Sequence, residues 1–342
     1  MVRNDKLCQC GKYRHWPCRI CGQPTADHHD HAQDSGGAGM GPGTVRADSD
    51  DSMPGIALLA DIASEAAQMI PDQSVLDQYI PRKIHELTDL EILQKCWEYN
   101  HSGAQAMNVL LIGDAGAGKN HLAEALGAWA RMPVWSISLN GGSTVEDIVG
   151  QPLFMGGTTV WVDGVLTYAM RHGGIVVLDE VNACPHEITF VLHQILDHRR
   201  SVTLVQKGRE VVRAHPNFMI IGTMNPDYRG TKPLNEAFRD RFHLPLEIEY
   251  DDKVEKKLGL DAKIRELAGK LRKMFRAGEL DAPCSTRLLL DYTRNKTIFG
   301  PGVAKTSFLT RFSRGDQTAI SEAWDITMAS AQTANLEFAN DE

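Results

Sequence analysis

The chain has 342 residues, 42% hydrophobic and 23% charged, with 44 acidic against 36 basic side chains and a net charge of -8; at about 150 residues per domain this is roughly two folded units with ample apolar mass for a core. Such a composition excludes collagen, a coiled-coil rod and whole-chain disorder, and the mild negative balance gives no global attraction to nucleic acid. No apolar run approaches the roughly 18 residues of a membrane span and the N-terminus MVRNDKLCQC lacks the apolar stretch of a signal peptide, so a cytoplasmic protein with no membrane partner is expected.

Residues 1–24 hold four of the seven cysteines, Cys8, Cys10, Cys18 and Cys21, together with His15 and Trp16. Four thiolates are the number that tetrahedral zinc takes, and so short a segment would depend on the metal to fold. The C-x-C pair and the narrow gap before C-x-x-C are tighter than common zinc ribbons, so an iron-sulfur site or reduced thiols stay open beside zinc, with His15 as a replacement ligand. Such a knuckle grips nucleic acid or protein; Lys12, Arg14, Arg19 and Trp16 suit the former, on a small patch. Residues 25–54, rich in Gly, Asp, Ser and His, cannot repay the entropy of folding and read as a flexible linker, with His28, His29 and His31 in a solvated polar tract. Cys96, Cys184 and Cys284 stand alone, each read as a small buried hydrophobe.

Residues 55–104 read as a helical bridge. Apolar side chains recur at helical spacing over 56–69 and stop at Pro71, and 76–80 and 84–99 suggest further helices. From Asn108 to Gly113 a short apolar strand leads into a glycine-rich turn and a helix over 121–131. Similar runs recur at 134–139, 174–178, 202–205, 211–212 and 218–222, with helices at 162–171 and 187–198 between them. Strands alternating with helices over about 140 residues predict an αβα core with a parallel sheet, over 105–250. The piece 202–212, with Lys207 and Gly208 in its middle, reads as an inserted hairpin, and 246–248 as the exit strand. Beyond residue 250 strand signals cease: 252–276, 286–293 and 318–331 predict a small helical C-terminal lid and tail over 251–342. Nine Lys or Arg against five Asp or Glu within 251–276 fit a solvated helix face or a polyanion surface.

Gly113-Asp114-Ala115-Gly116-Ala117-Gly118-Lys119 fits G-x-x-x-x-G-K between a strand and a helix, the context a P-loop requires. Glycines let backbone N–H groups close on the phosphates of ATP, the helix N-terminus adds a favourable field, and Lys119 can reach the β and γ phosphates; a purely structural glycine turn is the competing reading. The eighth position, normally Ser or Thr with a hydroxyl on magnesium, is Asn120. An amide oxygen can ligate a hard cation but is bulkier, so weakened metal binding or slow turnover is expected. Sixty residues after Lys119 an apolar strand ends in Asp179-Glu180, placing Asp179 beside magnesium and Glu180 where it can orient or deprotonate the attacking water. A third strand ends in Thr223-Met224-Asn225, and Asn225 would lie between the two motifs, holding water or sensing the γ phosphate, or simply closing a turn. On a short helix farther on, Arg239 and Arg241 are surface charges or, in a ring, positive charge for a neighbour's γ phosphate.

Over residues 105–295 the segments VLLIGDAGAGKN, WVDGVLTYAMRHGGIVVLDEVNACPHEITFVLHQILD, HPNFMIIGTMNP and LNEAFRDRF together resemble AAA+ ATPases of the MoxR-like group, in particular the branch of cobaltochelatase small-subunit-like proteins and the dynein-related AAA module. The resemblance implies a P-loop NTPase fold with a small helical lid, a hexameric ring, and ATP turnover that remodels a partner protein, often one bearing a von Willebrand type A domain. It makes Lys119 the Walker A lysine, Asp179 and Glu180 the Walker B pair, Asn225 the first sensor, Arg241 the arginine finger with Arg239 as helper, and Arg287 the second sensor. It also implies that 202–212 is the hairpin inserted after the Walker B helix and that a pore-facing insert begins at Gly150-Gln151-Pro152-Leu153. Asn120 departs from the family's Ser or Thr. The expected function is therefore an ATP-hydrolysing remodelling motor using ATP, magnesium and, at the cysteines, zinc. Its alternatives are a nucleotide-gated switch whose hydrolysis Asn120 keeps negligible and a nucleic-acid remodeller recruited by the cysteine module.

Overall fold

The computed structural model describes residues 66–102, 106–225 and 234–338, with side chains through Ala329. The cysteine cluster, the linker and residues 56–65 of the first expected helix lie outside the described residues. Helix α1 (Gln73–Gln78) starts at Asp72, whose carboxylate accepts the Ser74 N–H. Strands β1 (Lys83–Ile84) and β2 (Leu87–Thr88) pair antiparallel, and α2 runs Asp89–His101. The helix expected from residue 84 therefore begins later. Thr88 and Glu91 form a reciprocal capping box that fixes its first turn, and local capping outweighs the apolar spacing that drew Ile84 into the pattern.

The core follows as β3 (Val109–Ile112), α3 (Lys119–Ala130), β4 (Val134–Ser138), α4 (Val145–Val149), β5 (Gly150–Met155), β6 (Thr158–Asp163), α5 (Val165–His172), β7 (Gly174–Asp179) and α6 (His186–Leu196). It continues through β8 (Ser201–Leu204), β9 (Glu210–Arg213), β10 (Phe218–Met224), α7 (Glu236–Arg239) and β11 (Leu244–Glu247). Five strands form one sheet in the order β11-β3-β10-β7-β4, every neighbouring pair parallel. Their side chains alternate between two buried faces: Leu110, Val176, Leu178 and Ile220 pack into one cluster, while Val109, Leu111, Ile175, Val177, Met219 and Ile221 pack into the other. Burial on both faces is why these strands read as unbroken apolar runs.

Two hairpins interrupt this pattern. β8 and β9 pair antiparallel as expected. β5 and β6 form a second hairpin in place of the first part of the helix expected over 162–171; Val162 belongs to β6, and α5 starts at Val165. Its tip turns through Gly156 and Gly157 at φ 57° and 83°, as two-residue hairpin turns require. β5 is exposed after Gly150 and β6 is at most half-buried, so the hairpin has no fully buried face to write a strong alternating pattern into the sequence.

After β11 the chain is helical: α8 (Asp252–Lys257), α9 (Ala262–Arg276), α10 (Thr286–Phe299), α11 (Pro301–Leu309) and α12 (Asp316–Phe338). The single pattern expected over 252–276 is two helices, interrupted at Gly259 with φ 77°. α10 and α12 extend beyond their expected ends, and α11 carries no sequence expectation. These helices enclose a third apolar cluster around Leu267, Leu271, Cys284, Leu289, Phe308 and Trp324. Cys96 and Cys284 are buried as expected, whereas Cys184 is only half-buried. Among the described residues no helix is long and apolar enough to cross a membrane.

Candidate functional site

The carboxyl ends of β3, β10 and β7 lie side by side, the place where parallel α/β sheets hold ligands. β3 delivers Gly113, whose N–H donates to the Met224 carbonyl at 3.1 Å. A Cβ at Gly113 would fall 2.1 Å from the Ile248 carbonyl oxygen, so only glycine allows the exit segment this close. Gly116 and Gly118 take φ of 74° and 92°, the left-handed turns that wrap the loop before α3. Lys119, only 8% exposed, donates to the carbonyls of Gly113 at 2.6 Å and Asp114 at 3.0 Å, and to Asn225 Oδ1 at 2.8 Å.

Burial pulls the Lys119 pKa down to about 8, against the opposing pull of Asp114, Asp179 and Glu180. A bound polyphosphate favours the charged lysine, so binding near that pH should take up a proton and nucleotide affinity should fall as pH rises through about 8. Calorimetry in buffers of different ionisation enthalpy should show proton uptake at about pH 8 and almost none at about pH 6.5, where the free site is already protonated.

Across the site, Asp179 ends β7. Its Oδ1 accepts the Thr223 hydroxyl at 2.9 Å and its Oδ2 accepts the Asn120 amide at 2.8 Å. Glu180 follows at φ 57°, an uncommon left-handed conformation for a non-glycine residue, and its N–H donates to Thr223 Oγ1 at 3.4 Å. Because β10 runs between β3 and β7, Asn225 reaches both sides: its side chain accepts from Lys119, and its carbonyl accepts from Asn182 at 3.1 Å. Gly116, Ala117, Gly118, Lys119, Asn120, Asp179, Glu180, Asn225 and Arg287 all line one cavity of about 480 Å³. Gly113 and Asp114 support it from behind as acceptors for Lys119.

The donor set fits a hard divalent cation. Asp179 and Asn120 offer oxygen ligands side by side, as magnesium prefers. The Asn120 NH₂ group now faces Asp179, so presenting the amide oxygen requires a half-turn of that amide and loss of this hydrogen bond. Among the described residues no group of three or more His, Cys, Asp or Glu side chains is arranged to hold a metal.

Arg239 and Arg241 do not line this cavity. Arg239 is exposed at the end of α7, and Arg241 lies just beyond that helix, its guanidinium donating back to the Ala237 carbonyl. Other residues line it without any sequence signal. Ile80, Val254, Leu258 and Leu290 supply apolar lining suited to a nucleobase, and Tyr79 and Arg82 line the cavity as well. The segment leading into the C-terminal helices touches the loop through Tyr250, whose hydroxyl donates to the Ala115 carbonyl at 2.7 Å. Arg272 lies over the Tyr250 ring at 4.0 Å and pairs with Glu255 at 2.5 Å. Arg272 is thus drawn inward from the basic face of α9, where Lys270 pairs with Glu266 and Arg265 with Asp252.

Residues 108–242 match the family model described as AAA domain (dynein-related subfamily). Protein NorQ of Paracoccus denitrificans is 32% identical over 203 residues, covering 56% of this chain and 74% of that protein. Protein CbbQ of Hydrogenophilus thermoluteolus is 36% identical over 198 residues, 55% of this chain and 73% of that one. The denitrification regulatory protein NirQ of Stutzerimonas stutzeri is 31% identical over 209 residues, 58% and 74% respectively.

Proposed function

Because the chain belongs to the MoxR-like group of AAA+ ATPases, the group of NorQ, CbbQ and NirQ, we propose that its ATP turnover drives remodelling or assembly of a partner protein. The observation that carries this reading is the convergence of the P-loop, Asp179, Glu180, Asn225 and Arg287 on one cavity. In it the P-loop amides and Lys119 bind the phosphates, while Ile80, Val254, Leu258 and Leu290 take the base. Asp179 and Asn120 would hold magnesium, which when bound neutralises phosphate charge. Glu180 accepts the proton of the attacking water, Asn225 orients that water, and Arg287 brings positive charge from the lid.

Arg241 and Arg239, outside their own cavity, suit a neighbouring subunit's γ phosphate, and the working form is a hexameric ring. The hairpin of β5 and β6 carries Leu153, Phe154 and Met155 outward, with Phe154 76% exposed, an apolar grip for a partner chain such as one bearing a von Willebrand type A domain. The cysteine segment binds zinc and selects that partner in the cytoplasm. Glu180→Gln should trap the ATP-bound assembly, so affinity capture with this variant in ATP is expected to retain a partner that ADP releases. Identical capture in ATP, in ADP and without nucleotide would remove the remodelling reading.

One observation favours a second reading, a slow nucleotide-gated switch: the Asn120 amide already occupies Asp179, so magnesium competes with an internal hydrogen bond. Such a bond contributes about 0.5–1.5 kcal/mol, so Asn120→Thr should tighten magnesium binding by about threefold to tenfold. Magnesium titration followed with a fluorescent ADP analogue measures this directly, and phosphate release shows whether turnover rises with it. Unchanged magnesium affinity would show that Asn120 is no handicap.

A further inference from the structure

We propose that Arg82 is a positioning residue for the nucleotide phosphates, acting from outside the motifs through the peptide that joins Ala117 to Gly118; this rests on the nucleotide reading of the cavity. Arg82 lies in the segment between α1 and β1, 35 positions before Ala117, and its guanidinium Nη2 donates to the Ala117 carbonyl. A trans peptide is planar, with its C=O and the following N–H pointing opposite ways. Fixing the Ala117 carbonyl therefore fixes the direction of the Gly118 N–H, one of the donors that a P-loop turns toward phosphate. Gly118 itself packs on the guanidinium: at φ 92° a Cβ there would come 3.1 Å from Nη2.

The guanidinium is held from its other side. Nη1 donates to the Tyr79 hydroxyl at 3.2 Å and to Asp89 Oδ2 at 3.3 Å. Asp89 is wholly buried and also accepts the Tyr79 hydroxyl at 2.6 Å, the Arg82 N–H at 3.1 Å and the Leu90 N–H at 2.8 Å. Charges removed from water in this way contribute little net stability compared with apolar residues of the same volume. Here the pair fixes a cation on a wall of the phosphate cavity, with its Nε–H buried and unpartnered. That is a preorganised charge, and its natural beneficiary is an anion beside the loop.

The test uses the full chain and three competitors of a fluorescent nucleotide: ATP, ADP and adenosine. The double variant Arg82→Met with Asp89→Asn removes both charges, so no unpaired charge is left buried. It should lose about tenfold or more in affinity for ADP and ATP, with adenosine held within about twofold. Arg82→Lys, which keeps a point charge without the planar fork, should recover part of that loss, and it carries the test alone if the double variant does not fold: ADP weakens severalfold and adenosine does not. Equal weakening of all three ligands, or unchanged affinity for all three, overturns the proposal. Failure of the wild-type chain to bind ADP would instead overturn the nucleotide reading itself.

Discussion

Replacing Glu180 with Gln is expected to lower kcat for ATP hydrolysis by about 10²–10⁴-fold while ATP affinity changes little. The structure places this residue directly after Asp179, lining the same cavity as Lys119 and Asn225. A left-handed backbone at φ 57° turns it out of the strand direction of β7, and conformations of this kind concentrate at functional sites. The amide of glutamine has almost the same volume but cannot accept the water's proton, so the substitution removes one chemical step and leaves the phosphate contacts alone. Phosphate release measured beside fluorescent nucleotide binding separates the two. A fall in kcat with unchanged affinity is the expected split, because the lost interaction exists only in the transition state. A variant that hydrolyses ATP at the wild-type rate would assign the base to another residue.

Glu255→Ala is expected to destabilise the protein by about 3–5 kcal/mol, the cost of leaving one partner of a buried ion pair alone. Glu255 is 1% exposed. It accepts from Arg272 at 2.5 and 3.2 Å and from the Thr286 hydroxyl at 2.6 Å. The guanidinium also donates to the Cys284 carbonyl at 2.8 Å and covers the ring of Tyr250, which bonds the P-loop at Ala115. One carboxylate thus ties together α8, α9, the start of α10 and the nucleotide loop. Loss of that tie should lower Tm by roughly 10 °C and weaken the additional protection conferred by ADP, since Arg287 follows Thr286 on α10. Thermal unfolding with and without ADP reads both effects. Glu255→Gln, which keeps an acceptor but not the charge, should cost less than Glu255→Ala. Equal losses for the two variants would show that the retained acceptor contributes nothing, and no loss for Glu255→Gln would show that charge is irrelevant there.

The glycine spacing before Lys119, the apolar strands that end in Asp179 and Asn225, and the parallel αβα core were legible because each is written in adjacent residues. A strand buried on both faces needs an unbroken apolar run, and a loop closing on phosphate needs glycine at fixed intervals. Asn225 is expected between the two motifs, and the strand order, with β10 between β3 and β7, is what brings it to Lys119 across 106 positions. Other parts leave no such local trace. Arg82 beneath Ala117, Tyr250 bonded to Ala115 across 135 positions and the Glu255 network depend on which surfaces the fold brings together. An arginine in a polar segment reads the same whether solvated or buried against a P-loop, because its pairing lies with residues on other elements. By itself the sequence determined the chemistry of the nucleotide site; tertiary packing decided what holds that site in shape, since orientation comes from distant partners and only folding makes them neighbours.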